Sequence, residues 1–173
     1  VNPPPMTAES ALRLAIAAAR TFAPNGGREV VIGRDTRRSG QMIEAALIAG
    51  LTSMGLKPVL LGIVPTPTVA LMTRETGAAL GLMVSASHNK SDDNGIKLFS
   101  PAGIKLTDAE EEALEAAMAS AFEGDFAPPP AISTPHHMKG ATTLYLERCL
   151  ETVGTDIDFS GLKIVLDCAH GGA

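Results

Sequence analysis

Between Glu29 and Phe99 the chain alternates apolar runs with amphipathic stretches, and one alternation is missing. Glu29 to Ile32, Pro58 to Ile63 and Ala79 to Val84 are rich in Val, Ile and Leu and read as strands. Gly40 to Met54 and Thr68 to Thr76, which lie between them, carry apolar residues at helical spacing. Strand, helix, strand, helix, strand implies right-handed crossovers and a mainly parallel sheet covered on both faces. Ile96 to Phe99 follows the third run with no helix between them, so it is expected to pair antiparallel with that run at or near a sheet edge. The return constrains the residues it encloses. An extended chain could hold Ser87 and Lys97 about 30 Å apart, whereas a hairpin brings the lysine back towards the serine.

The flanks fill in the architecture. Thr7 is a plausible N-cap for a helix from Ala8 to Phe22 that ends at Gly26-Gly27, and Ser39 for the helix that starts at Gly40. Gly33 is expected in a tight turn. Thr107-Asp108-Ala109-Glu110 is a capping box opening an acidic helix to about Phe122. Residues 124–135, with Pro128-Pro129-Pro130, read as a linker or surface strap, His136-His137 as solvated loop, and Thr142 to Thr152 as a helix. Leu162 to Cys168 is apolar, precedes Gly171-Gly172, and reads as the first strand of a further unit. The expectation is α/β: a three-layer αβα domain with a four-stranded mixed sheet, last strand antiparallel, over residues 1–123. Residues 124–139 form the linker, and 140–173 an incomplete start of a second similar domain.

Composition narrows the function classes. The hydrophobic fraction is 45%, with no Trp, one Tyr and five Phe, so the core must be aliphatic. A net charge of −5 gives no electrostatic footprint for nucleic acid. No stretch reaches the ~20 apolar residues of a membrane span, and no signal sequence opens the chain. Cys149 and Cys168 fall in unrelated segments and are expected as reduced thiols in a cytoplasmic protein. Cys168-Ala169-His170 is too sparse for a metal site. The carboxylates Glu110, Glu111, Glu112 and Glu115 are expected on a solvated helical face.

The chemistry concentrates between the third and fourth strands, in Val84-Ser85-Ala86-Ser87-His88-Asn89-Lys90-Ser91-Asp92-Asp93-Asn94-Gly95-Ile96-Lys97. A small hydroxyl flanked by an imidazole and an amide, with a lysine at the loop exit, suits a serine that carries a phosphoryl group. Phosphoserine brings about −1.5 to −2 charge and three acceptor oxygens, which need cationic and N–H partners nearby. Ordinary loop material and an Asn94-Gly95 turn pair are the competing explanation.

The Ser-Ala-Ser-His-Asn piece and the Asp-Asn-Gly-Ile-Lys-Leu-Phe-Ser piece that follows resemble the phosphoserine loop of the α-D-phosphohexomutases. Ile32-Gly33-Arg34-Asp35-Thr36-Arg37-Arg38-Ser39-Gly40 and Gly62-Ile63-Val64-Pro65-Thr66-Pro67-Thr68 resemble the same family in the same order. One position departs from it, because Lys90 stands where the family usually has proline after Ser-His-Asn. The resemblance implies a mutase acting on a hexose or hexosamine phosphate. Its nearest likeness implies interconversion of glucosamine 6-phosphate and glucosamine 1-phosphate through a bisphosphosugar, with phosphomannomutase or phosphoglucomutase chemistry as the alternative. It further implies Ser87 as the phosphoserine and Lys97 as the group stabilising charge and moving a proton. His88 would donate a hydrogen bond to phosphate or substrate, Asn89 would order the loop, and Mg²⁺ would be held in part through the phosphate on Ser87. The family's Thr-Asp-Gly-Ile-Arg-Gly segment and its Asp-x-Asp-x-Asp metal loop are not found in these residues, so the chain by itself is expected to be inactive.

Arg34, Arg37 and Arg38 suit a phosphate clamp by their guanidinium geometry, but a turn held by Arg–Asp pairing with Asp35 is the preferred reading. Two further classes stay open. A serine hydrolase would use Ser87 and His88, although no Gly-x-Ser-x-Gly elbow is present; a non-catalytic sugar-phosphate-binding module would use the same loop without turnover.

Overall fold

The computed structural model describes residues 6–128, 131–154, 157–168 and 171–172. Helix α1 spans Ala8–Phe22, β1 Glu29–Arg34, α2 Gly40–Ser53, β2 Lys57–Ile63, α3 Thr66–Thr76, β3 Leu80–Val84 and β4 Ile96–Phe99. Helix α4 (Asp108–Met118), β5 (His136–His137) and α5 (Ala141–Val153) follow. The sheet has five strands in the order β4-β3-β1-β2-β5. Strands β2 and β3 flank β1 in parallel, and β4 returns antiparallel to β3 with Met83 opposite Lys97. The missing crossover therefore does produce a hairpin at the sheet edge.

The fifth strand is a departure from the four expected. His136 and His137 pair in parallel with Val59 and Leu60 and extend the sheet beyond β2, although both histidines are exposed. Two polar residues leave no strand signature; backbone pairing to an open edge holds them. Residues 162–168 depart in the opposite sense. They are apolar yet form no strand, and Ile164, Val165 and Leu166 lie exposed. Strand geometry needs a neighbouring strand to pair with, and among the described residues no strand of the sheet pairs with this segment.

Alternation along β1 sorts the core. Val30 and Ile32 face a cluster with Leu14, Ile43, Leu47 and Leu51 from α1 and α2, while Val31 faces Val69 and Met72 from α3. The connection through α2 runs from β1 out to β2, and the one through α3 runs back past β1 to β3. Reversing direction while keeping the hand of the crossover moves the second helix to the opposite face. The strand order thus reverses beside β1, and the crevice at such a reversal, outside the carboxyl ends of the strands, is where α/β sheets bind ligands.

Small residues set the layer spacing. A Cβ on Gly50 would lie 2.6 Å from Ala15 Cβ and 2.9 Å from Leu12 O, so α1 and α2 cross too closely for any side chain there. Gly33 serves the same end rather than a tight turn: it lies within β1, and its Cβ would lie 2.5 Å from Val69 Cγ2. The Thr7 cap forms, with its hydroxyl accepting from Ser10 N–H at 3.0 Å, and so does the Thr107/Glu110 capping box. Helix α4 stops at Met118, short of Phe122, whose ring lies 4.5 Å under the Arg13 guanidinium. Helix α5 leans on α3 through Ala141, Leu144 and an Arg148–Glu75 ion pair at 3.4 Å.

Candidate active site

Residues after β1 and residues after β3 leave the sheet at the same end, because Arg34 and Val84 are parallel partners across the pair. Asp35 N–H donates to Val84 O at 3.0 Å, which starts the two segments side by side. The loop from Ser85 to Gly95 then rises above the carboxyl ends of the strands and closes where Ser85 N–H donates to Gly95 O at 2.9 Å.

Ser87 sits at the tip of this loop, exposed, with φ of 57°. Among the described residues it is the one non-glycine in the left-handed region. It occupies the first central position of a turn closed by Asn89 N–H donating to Ala86 O at 3.1 Å, where a positive φ ordinarily selects glycine. Its amide donates to Ser85 Oγ at 3.0 Å, and its hydroxyl lies 3.4 Å from His88 Nδ1. Holding serine there costs about 1–2 kcal/mol, so a local contact must oppose the strain. The hairpin delivers Lys97 beneath the loop, where its half-buried amine donates to Ser85 O at 3.1 Å. Ser87, His88 and Lys97 are therefore gathered at one end of the sheet.

The arginines separate by role. Arg34 pairs with Glu44 on α2 at 3.2 Å, and Arg38 is exposed. Arg37 forms the Arg–Asp pair expected from sequence, its Nε 3.0 Å from Asp35 Oδ2, with side-chain exposures of 8% and 11%. It also does what the sequence did not reveal. Nη2 donates to the carbonyls of Ser87 and Asn89 at 3.0 and 2.9 Å, and Nη1 to Asp93 O at 2.8 Å and to Lys90 O. Ser39 was expected to cap α2 but makes no capping bond; its Oγ accepts from Asn94 Nδ2 at 2.9 Å and forms a second tie between the two segments. Neither contact has a local signal, since they cross 50 or more positions of sequence.

The phosphoglucomutase/phosphomannomutase α/β/α domain I family model matches residues 1–125. The chain belongs to this family. A phosphoglucosamine mutase from Hyphomonas neptunium is 70% identical over 171 residues, covering 99% of this chain and 38% of the relative. One from Caulobacter vibrioides is 49% identical over 174 residues, covering 99% and 39%. A solved phosphoglucomutase/phosphomannomutase family protein from Burkholderia thailandensis superposes with a TM-score of 0.70 at 25% identity, over 84% of this chain and 32% of that one. A solved structure from Thermus thermophilus gives 0.71 at 33% identity, over 85% and 32%. This phosphohexomutase chain thus spans under two fifths of the length of its curated relatives.

The described residues do not make a metal site by themselves. No group of three or more His, Cys, Asp or Glu converges among them. Also among them, no helix is long and apolar enough to cross a membrane, and Cys149 and Cys168 are free.

Proposed function

We propose that the complete protein is a phosphohexomutase interconverting glucosamine 6-phosphate and glucosamine 1-phosphate, and that Ser87 is its phosphorylated nucleophile. The observation that carries this reading is Ser87 itself. A strained, exposed serine stands where glycine would fit at no steric cost, at the sheet's ligand-binding end, beside His88 and above Lys97. The glucosamine substrate rests on the relatives at 70% and 49% identity.

Two phosphate positions on one sugar cannot meet one fixed group at once, and a covalent phosphoenzyme removes the problem. The phosphoryl group passes from Ser87 Oγ to the free hydroxyl of the sugar phosphate. That hydroxyl gives up its proton as Oγ regains one. The bisphosphosugar turns over, and its other phosphoryl group returns to Oγ. The Lys97 amine uses one donor on Ser85 O and keeps others for a phosphoryl oxygen. His88 Nδ1 lies near Oγ, where it can hydrogen-bond the phosphate. Mg²⁺ would neutralise charge during transfer; here it would find one ligand, an oxygen of the Ser87 phosphate, and need the rest from residues outside this chain.

A cytoplasmic location belongs to the same proposal, in keeping with two free thiols. So does the division into domain 1 to about residue 123, a connecting strap over 124–139, and 140–173 leading into a second unit, with α5 leaning back on the first. The test is intact-mass and peptide analysis of the complete protein after incubation with glucose 1,6-bisphosphate. One phosphate on Ser87 is expected. Phosphate on Ser85 or Ser91 instead, or full turnover by Ser87→Ala, overturns the assignment. Faster turnover of mannose 6-phosphate than of glucosamine 6-phosphate would overturn the substrate while leaving the nucleophile intact.

A further inference from the structure

We infer that Arg37 is the positioning residue for the nucleophile, a guanidinium spent wholly on shaping the Ser87 loop and not on binding phosphate. The inference rests on the reading of Ser87 as the phosphorylated group. An arginine side chain has five N–H donors, and all five are used. Nε donates to Asp35 Oδ2, Nη1 to Lys90 O and Asp93 O, and Nη2 to Ser87 O and Asn89 O. The other carboxylate oxygen of Asp35 accepts from Arg37 N–H at 3.0 Å, so the pair is locked at both ends. No N–H remains for a phosphoryl oxygen. The charge is offset as well, since the Asp35 carboxylate lies against the guanidinium and both side chains are nearly buried.

The four carbonyls belong to one turn and its continuation, and they converge on a single planar group. Drawing the carbonyl of Ser87 towards Nη2 while its amide is held by Ser85 Oγ fixes the peptide planes on both sides of that residue. These are the contacts that oppose the cost of a positive φ at a serine. The fork geometry matters: a lysine amine is a point donor with three N–H groups and cannot span a carboxylate and four separated carbonyls. Arginine to lysine is therefore expected to fail here although charge is kept.

The test compares wild type, Arg37→Lys and Arg37→Ala in the complete protein, following phosphate transfer to Ser87 from glucose 1,6-bisphosphate and steady-state turnover of glucosamine 6-phosphate. Both variants are expected to lose about 10²-fold in the phosphorylation rate and in kcat, the scale of a misplaced reacting group. KM should stay within about twofold, because Arg37 does not touch the sugar phosphate. Free guanidinium ion at millimolar concentration should restore part of the rate to Arg37→Ala and none to Arg37→Lys, whose amine fills the slot. A variant that raises KM and keeps kcat would overturn the inference and make Arg37 a phosphate clamp. Phosphorylation of Arg37→Lys at the wild-type rate would also overturn it, and this arm decides if Arg37→Ala does not fold. Absence of phosphate from wild-type Ser87 would instead remove the nucleophile reading, an outcome distinct from either.

Discussion

At Ser87 a side chain requirement and a backbone requirement oppose each other. The proposed chemistry needs a hydroxyl, whereas the turn prefers no Cβ. Substitutions can separate the two. Ser87→Ala and Ser87→Gly should both take up no phosphate, but the glycine variant should be the more stable of the pair by about 1 kcal/mol, because it lacks the Cβ clash of the left-handed region. Equal unfolding midpoints in urea would show that the loop relaxes without a hydroxyl. Lys97 admits a similar separation. Lys97→Met should lower turnover by about 10²-fold, the scale of losing an electrostatic or proton-transfer group, while melting near the wild-type temperature, since its stem still packs. Lys90→Pro is the control: the residue is exposed and contributes its carbonyl, which proline retains, to the Arg37 contact. Normal turnover and normal melting in Lys97→Met would overturn the catalytic role proposed for that residue.

At the scale of elements, the α1–α2 crossing and the α4 N-terminus give the sharpest expectations. Gly50→Ala places a methyl group 2.6 Å from Ala15 Cβ and against the Leu12 carbonyl, so the helices must part. A loss of about 1–3 kcal/mol is expected by urea unfolding, and an unchanged midpoint would mean the crossing is looser than described. At α4, the backbone N–H and hydroxyl of Thr107 hold the Glu110 carboxyl below its ordinary value of 4.5. The folded state therefore binds this proton more weakly than the unfolded chain. The stabilisation is present above pH 4.5 and is lost as pH falls through the lowered value. Protection of the amides at the start of α4, taken as the observed exchange rate relative to the intrinsic rate at the same pH, should fall over that range in wild type and stay level in Glu110→Gln.

These elements were also the legible ones. Cap residues, apolar period and the absent crossover before Ile96 are local properties, and each led to the right element. One boundary and one strand escaped, and one expected strand did not form, for identifiable reasons. Helix α3 starts at Thr66 and not at the expected Thr68, since Pro67 is tolerated in a helix's first turn. The strand at His136–His137 exists through edge pairing, whereas Leu162 to Cys168 has strand composition but pairs with no strand among the described residues. In the candidate site, residue type made Ser87, His88 and Lys97 candidates, and the family resemblance gave them their expected roles. Arg37 was weighed as part of a phosphate clamp and, by preference, as half of an ion pair with Asp35. Its other partners are main-chain carbonyls, which every residue carries, so no sequence pattern could name them.

For the whole molecule, the 173-residue chain expressed alone should fold and show no measurable mutase turnover, because the described residues bring the proposed nucleophile and lysine but no metal site. Turnover by the isolated chain would require a wholly different distribution of roles. The strand order has another consequence, in folding time. The Arg37 contacts to residues 87–93 span 50 to 56 positions, and they can close only after β3 has come to rest beside β1. Contacts of such separation carry a loop-closure cost that local helices and turns do not, and they tend to form late. Until then Ser87 has only its local contacts to Ser85 and the turn bond beside it, without the guanidinium that holds its carbonyl. A phosphate on this serine would thus record that the sheet had been assembled, and a nascent or misfolded chain would go unmarked.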